Sequence, residues 1–155
     1  MDDLTRMLIE HSCQKLSDLY CRHLDYKDPD AFAAIFTEDA RYKPAIRPEP
    51  VVGRANIRQW CDEYPSSRFL RHLSTNQIVE VIDETTARGT SYAITFREPE
   101  PKAGAISIRS TPRAVVEYVD TYRKTGEGWK IATRFYNIDF LDAEESNRPG
   151  RTTGI

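Results

Sequence analysis

Beyond residue 65 the chain changes its hydrophobic period. Four runs, 69–82, 86–97, 113–124 and 129–141, are rich in β-branched and aromatic residues and are parted by turn formers. Asp83-Glu84 parts the first two, and Gly126-Glu127-Gly128 makes a hairpin turn between the last two. Successive strands of this length pair as an antiparallel meander, and such a sheet must bury at least one face. In the second run Thr90, Tyr92, Ile94 and Phe96 share one face, while Ala87, Gly89, Ser91 and Ala93 share the other. A face of small side chains permits close helix packing or leaves room for a ligand.

The cover must come from the N-terminal part. Residues 4–26 read as one long helix, with Ile9, Cys13, Leu16, Tyr20 and Leu24 as its apolar stripe. Pro29 disfavours helical geometry at Asp28 and ends that helix near Lys27. Asp28 then caps a second helix, with Pro29 at its first position. Residues 38–42 turn into a short strand, and Pro44, Pro48 and Pro50 make an extended, irregular link. A third helix over 54–64 buries Ile57, Trp60, Cys61 and Tyr64 and stops at Pro65. The expected fold class is α+β: three N-terminal helices packed in a curved, mainly antiparallel sheet, a cone-shaped α+β barrel enclosing one apolar cavity. The expected organisation is a single domain over 1–145 and a flexible tail over 146–155. Residues 98–112 are long for a hairpin loop, a length typical of lids and contact elements.

Composition removes several function classes. Net charge is −2 without a block of like charge, unlike the basic face of a nucleic-acid binder. No apolar run approaches the roughly 20 residues of a membrane span. The acidic start Met1-Asp2-Asp3 has no signal-peptide pattern, so a cytoplasmic location is expected. Cys13, Cys21 and Cys61 are odd in number and lack C-x-x-C spacing, which reads as buried thiols. His11, His23 and His72 form no metal motif, and neither metal nor cofactor is expected.

Two residues stand out for chemistry. His72 enters the first long strand near its beginning, and Asp25 lies off the apolar stripe at the end of the first helix. An anion at that end of a helix needs a compensating partner. From residues alone both have other uses: Asp25 can pair with Arg22 one turn earlier, and a strand histidine can sit in the core.

Several segments together give a resemblance. They are Tyr20 with Asp25 five residues on, Asp28-Pro29-Asp30, Phe36-Thr37-Glu38-Asp39-Ala40, Gly53-Arg54-Ala55-Asn56-Ile57, Arg71-His72-Leu73-Ser74-Thr75-Asn76, Asp120-Thr121-Tyr122 and Gly128-Trp129-Lys130-Ile131. Their order over residues 8–138 resembles the SnoaL-like branch of the nuclear-transport-factor-2-like superfamily. That branch includes polyketide cyclases, scytalone and bile-acid dehydratases and hexachlorocyclohexane dehydrochlorinase. The superfamily also holds non-catalytic subunits of ring-hydroxylating dioxygenases. The resemblance implies a catalytic dyad of Asp25 and His72. The His72-to-Asn76 pattern lies nearest the dehydrochlorinases, whereas Leu24 and Tyr26 depart from the dehydratase order, in which Tyr directly precedes Asp.

On this reading His72 is a base for proton abstraction from carbon, and Asp25 orients and stabilises it. Tyr20, Tyr42, Trp60, Tyr92, Phe96, Tyr118 and Arg134 are the candidate substrate-binding residues, and Arg113 is a further candidate cation. The expected activity is a cofactor-independent lyase or isomerase acting on a small apolar molecule. The alternative is a non-catalytic small-molecule-binding or scaffold subunit. Homodimerisation is expected through the exposed back of the sheet, where Val115, Val119 and the 98–112 segment lie, with a trimer as the alternative.

Overall fold

The computed structural model describes residues 1–44, 47–64, 69–107 and 111–143. The chain runs α1 (Asp3–Tyr26), α2 (Pro29–Ala34), β1 (Phe36–Lys43), β2 (Val51–Val52), α3 (Arg54–Glu63), β3 (Phe69–Val81), β4 (Thr86–Glu98), β5 (Ala114–Thr125) and β6 (Gly128–Leu141). The tail expected over 146–155 and the Pro65 helix stop lie outside the described residues, as does part of the 98–112 segment.

Local chemistry accounts for the helices. Asp2 caps α1 by accepting the Thr5 N–H at 2.7 Å. Ile9, Cys13, Leu16, Tyr20 and Leu24 are all buried, and Ser17 and Cys21 widen the stripe. Lys27 closes the helix in the left-handed conformation, φ 54°. The ammonium of Lys27 donates to the Tyr64 carbonyl, which holds a cap position usually given to glycine. Asp28 then accepts the Ala31 N–H at 2.9 Å, with Pro29 opening α2.

The six strands form one open, curved sheet in the order β2-β1-β6-β5-β4-β3. The β3-to-β6 meander is antiparallel, while β1 joins β6 in parallel. The architecture is therefore α+β, with helices against a mixed sheet that curves without closing. Strand β3 carries a bulge between Thr75 and Ile78, and Asn76 within it takes φ 52°. The bulge bends this edge strand towards α1, where the Gln77 amide donates to Asp18 at 3.2 Å.

Alternation sets the two faces of the sheet. The small face of β4 turns inward, burying Ala87, Ser91, Ala93 and Thr95. Its bulky face turns outward, leaving Tyr92 44% exposed and Phe96 half-buried. In β5, Ala114, Val116, Tyr118, Asp120 and Tyr122 face the helices. Between them and α1 lies an aromatic core, in which the Tyr42 and Trp60 rings stand 4.9 Å apart and those of Tyr20 and Phe32 5.2 Å.

Gly89 sits where β3 and β5 close in on β4. A Cβ there would lie 2.6 Å from the Ile78 carbonyl oxygen and 3.2 Å from the Tyr122 ring. Gly89→Ala is expected to destabilise the protein by about 1–3 kcal/mol through overpacking. Gly126→Ala, with nothing within 4 Å of the new methyl, should stay within about 0.5 kcal/mol of the parent. Urea unfolding of both variants measures the difference.

Candidate functional site

The site begins where α1 ends. Asp25 lies in the last turn of α1, and His72 is the fourth residue of the edge strand β3. An edge strand leaves one row of backbone N–H groups without a strand partner. Asp25 Oδ2 takes one of them, accepting the His72 N–H at 3.0 Å. Its other oxygen lies 2.5 Å from His72 Nδ1. One carboxylate thus holds both the backbone and the ring of the same residue. The side chains are 6% and 11% exposed, so the pair is well shielded from water. A carboxylate oxygen accepts, so Nδ1 carries the hydrogen and Nε2 is the nitrogen left for another partner.

His72 forms part of the wall of a chamber of about 60 Å3. Tyr20, Tyr42, Trp60 and Tyr118 share that wall, as four of the seven expected binding residues. Leu24, Pro44, Tyr64, Thr95, Arg113, Val116 and Tyr136 complete it. The volume is far below the roughly 300–1,000 Å3 of ligand pockets in general, so anything beyond a few heavy atoms must spread the wall. A larger groove of about 390 Å3 lies outside, between α1, α2 and the start of β6, but it is open and lacks the acid–base pair.

Three expected binding residues lie elsewhere. Tyr92 and Phe96 are on the outer face of β4, because the small side chains of that strand are the ones that fit beneath the helices. Arg134 is fully buried behind the wall instead of lining it. Its guanidinium donates to Asp120 through Nε at 2.8 Å and Nη2 at 2.6 Å, and Nη2 also donates to Ser17 at 2.6 Å. The rings of Tyr20 and Tyr118 flank it at 4.3 and 4.5 Å. Burial works against the Arg134 charge, and the Asp120 carboxylate more than offsets that, holding the guanidinium well above its ordinary pKa. Arg71 faces away from the chamber and stacks over Phe69 at 4.2 Å.

The hydroxyls in the wall are hydrogen-bonding groups, not anions. Tyr20 and Tyr42 oxygens lie 2.8 Å apart. Burial pushes Tyr20, Tyr42 and Tyr118 well above the usual phenol value. Burial also raises the Cys13 and Cys21 thiols to about 12 and the Cys61 thiol to about 11, which removes them as nucleophiles at neutral pH. Among the described residues no group of three or more His, Cys, Asp or Glu is placed to hold a metal ion.

Sequence reasoning missed Thr95 and Tyr136, while Arg113, named as a further candidate cation, does line the wall. Thr95 was legible as the next member of the small-residue face of β4, and Tyr136 pairs directly with Tyr118 across β5 and β6. Arg113, expected as the first residue of its strand, directly precedes β5.

Comparison with known proteins follows the fold. Residues 5–135 match the family model described as a SnoaL-like domain. Nothing matches among curated protein sequences. Among solved structures, a Mycobacterium tuberculosis protein of unknown function is 26% identical with a TM-score of 0.74, covering 96% of this chain and 83% of its own. A Novosphingobium aromaticivorans protein provisionally assigned as a scytalone dehydratase is 20% identical, with a TM-score of 0.74 and 89% of both chains covered. A hexachlorocyclohexane dehydrochlorinase from Novosphingobium barchaimii is 15% identical, with a TM-score of 0.73 and 91% and 93% covered. At these last two identities the likeness concerns the fold alone.

The Arg134–Asp120 pair makes a stability prediction. Asp120→Asn leaves a buried guanidinium without its counter-charge and is expected to lose about 3–5 kcal/mol. The double variant Asp120→Leu/Arg134→Met should recover most of that loss. Guanidinium chloride unfolding of the three proteins tests both statements.

Proposed function

The chain belongs to the SnoaL-like family, and on that premise we propose that it is a cofactor-independent lyase or isomerase with His72 as its base. The observation that carries the reading is the 2.5 Å approach of His72 Nδ1 to Asp25, with the same imidazole forming part of a largely aromatic wall. In this reading Nε2 takes a proton from a substrate carbon. The C–H electron pair then forms a double bond as a leaving group departs from the neighbouring carbon, or shifts within the substrate before the proton is returned. Asp25 keeps Nδ1–H aligned and stabilises the imidazolium as it forms. The Tyr20 and Tyr42 hydroxyls supply hydrogen bonds to a substrate oxygen, and Trp60 and Tyr118 supply flat apolar contact. Dehydration, loss of hydrogen halide, double-bond migration and ring closure all begin with this step.

One observation favours a second reading. The chamber volume of about 60 Å3 is small for an enzyme site. A binding or scaffold subunit of the same fold would use the chamber as part of its core, with Asp25 serving only to fix the edge of β3.

A screen of small halogenated, hydroxylated and enolisable carbonyl compounds separates the two. The enzyme reading expects turnover of at least one class. For that substrate it expects kcat to fall about 10²–10⁴-fold in His72→Ala, with circular dichroism unchanged. Undiminished turnover by a folded His72→Ala protein would end the proposal. The scaffold reading expects no turnover and equal ligand affinity in both proteins.

We further infer that the protein self-associates through the outer face of its sheet, as a dimer first and a trimer second. Leu73, Ile94, Val115 and Phe140 stand opposite one another across β3 to β6, and Leu73 and Phe140 are 53% and 71% exposed. An apolar row of this kind on an outer sheet face marks a contact surface. Light scattering should report a dimer mass that falls to the monomer mass in Leu73→Lys/Phe140→Glu.

A further inference from the structure

We propose that the groove between α1, α2 and the start of β6 is a second small-molecule site, one that takes a medium-chain carboxylate. It is separate from the His72–Asp25 chamber and stands whether or not that dyad turns over a substrate.

Shape gives the first reason. The groove volume of about 390 Å3 lies within the roughly 300–1,000 Å3 of small-molecule pockets, against about 60 Å3 for the chamber. Buried Leu16 and Ile35 line it together with half-buried Leu19, Ala31 and Trp129. Along α1 the wall includes Lys15, Leu19 and His23, which follow one another at steps of four and so form one row on one helix face. At 1.5 Å per residue that row is about 12 Å long, which suits an extended alkyl chain better than a compact ring.

Charge gives the second reason. The titratable side chains of the groove are Lys15, His23 and Lys130, and among the described residues no carboxylate lines it. Burial lowers the His23 pKa, while Asp28 and Arg22 act on it in opposite senses, so the ring is neutral at pH 7. Lys130 is held in position, its ammonium donating to the Ala34 carbonyl at 2.6 Å and standing 3.4 Å from Glu127. Lys15 is exposed at the rim. The Ser12 hydroxyl spends its proton on the Leu8 carbonyl at 2.7 Å, so the side-chain donors facing a ligand include two ammonium groups and no hydroxyl. An apolar row with a cationic rim complements a ligand that is apolar along its length and anionic at its head. A carboxylate at Lys15 makes a charge-assisted hydrogen bond, and its chain covers apolar surface at Leu16, Leu19 and Trp129.

The two tryptophans of the chain separate this groove from the chamber, since Trp129 lines the one and Trp60 the other. Hexanoate, octanoate and octanamide are titrated at constant ionic strength, below the micellar range, and the two indole N–H signals in 1H–15N NMR are the readout. Octanoate should shift the Trp129 signal at concentrations that leave the Trp60 signal in place. It should bind about fivefold more tightly than hexanoate, because two further methylene groups are covered. Its affinity should fall about fivefold in Lys15→Met and in Lys15→Gln, two substitutions at an exposed position. Octanamide should bind parent and variants alike, and more weakly than octanoate binds the parent. Leu19→Asp, which sets a like charge in the row, should abolish octanoate binding and keep the parent's mass in light scattering. Equal octanoate affinity in the parent and both Lys15 variants overturns the assignment, as does octanamide binding as tight as that of octanoate. A shift confined to Trp60, no shift at either indole, or octanoate binding retained in Leu19→Asp also overturns it. A lower mass for Leu19→Asp would assign the groove to a contact between copies of the chain and overturn it likewise.

Discussion

A carboxylate at the end of α1 occupies a donor that the sheet leaves open, and the site depends on this contact. Edge strands carry backbone N–H groups with no strand to receive them. Asp25 satisfies the one on His72 and, with its second oxygen, sets the imidazole ring. The contact works because α1 stops one residue later, at Tyr26. Lys27 takes the left-handed conformation, and Asp28-Pro29 sends the chain into α2. The bulge at Asn76 then bends β3 towards α1, so that Gln77 also reaches the helix. A helix end, a strand edge and a bulge together hold one side chain in place.

Behind the aromatic wall lies a second buried polar unit of different character. Arg134 and Asp120 are directly opposite across β5 and β6, and Ser17 ties the pair to α1. Both side chains are fully buried. Such pairs add little net stability against an apolar replacement, yet they penalise any arrangement that separates them. Here the pair fixes how α1 lies over two strands. The Tyr20 and Tyr118 rings that line the chamber also flank its guanidinium. The result is a wall whose hydroxyls keep their protons through burial.

Much of the frame was legible because it is local. The stripe from Ile9 to Leu24, the Asp28-Pro29 helix start and the Gly126 turn each depend on neighbours a few residues away. The pairing partners Asp25 and His72 were legible through the family resemblance and not through spacing, since 47 residues part them. Tyr92 and Phe96 were misplaced for a simple reason. A period of two tells which residues share a face of β4, but not which face turns inward. Packing decided that, because neighbouring strands close over the inward side chains of β4, as the crowding of Gly89 by Ile78, Val79 and Tyr122 illustrates. Arg134 looked like any strand arginine until β5 and β6 brought Asp120 opposite it.

The order of residues by itself determined the helices, the long strands, the α+β class and the family. The first three follow from short-range propensity, capping and the hydrophobic period, and the family from the resemblance carried by its ordered motifs. Only the tertiary structure decided which charges are spent on each other, which aromatic rings meet, and that His72, Thr95 and Ala114 lie along one line across three strands. Those outcomes depend on register and on the direction in which the sheet curves. Both are set by contacts between distant segments and leave no periodic trace in the chain.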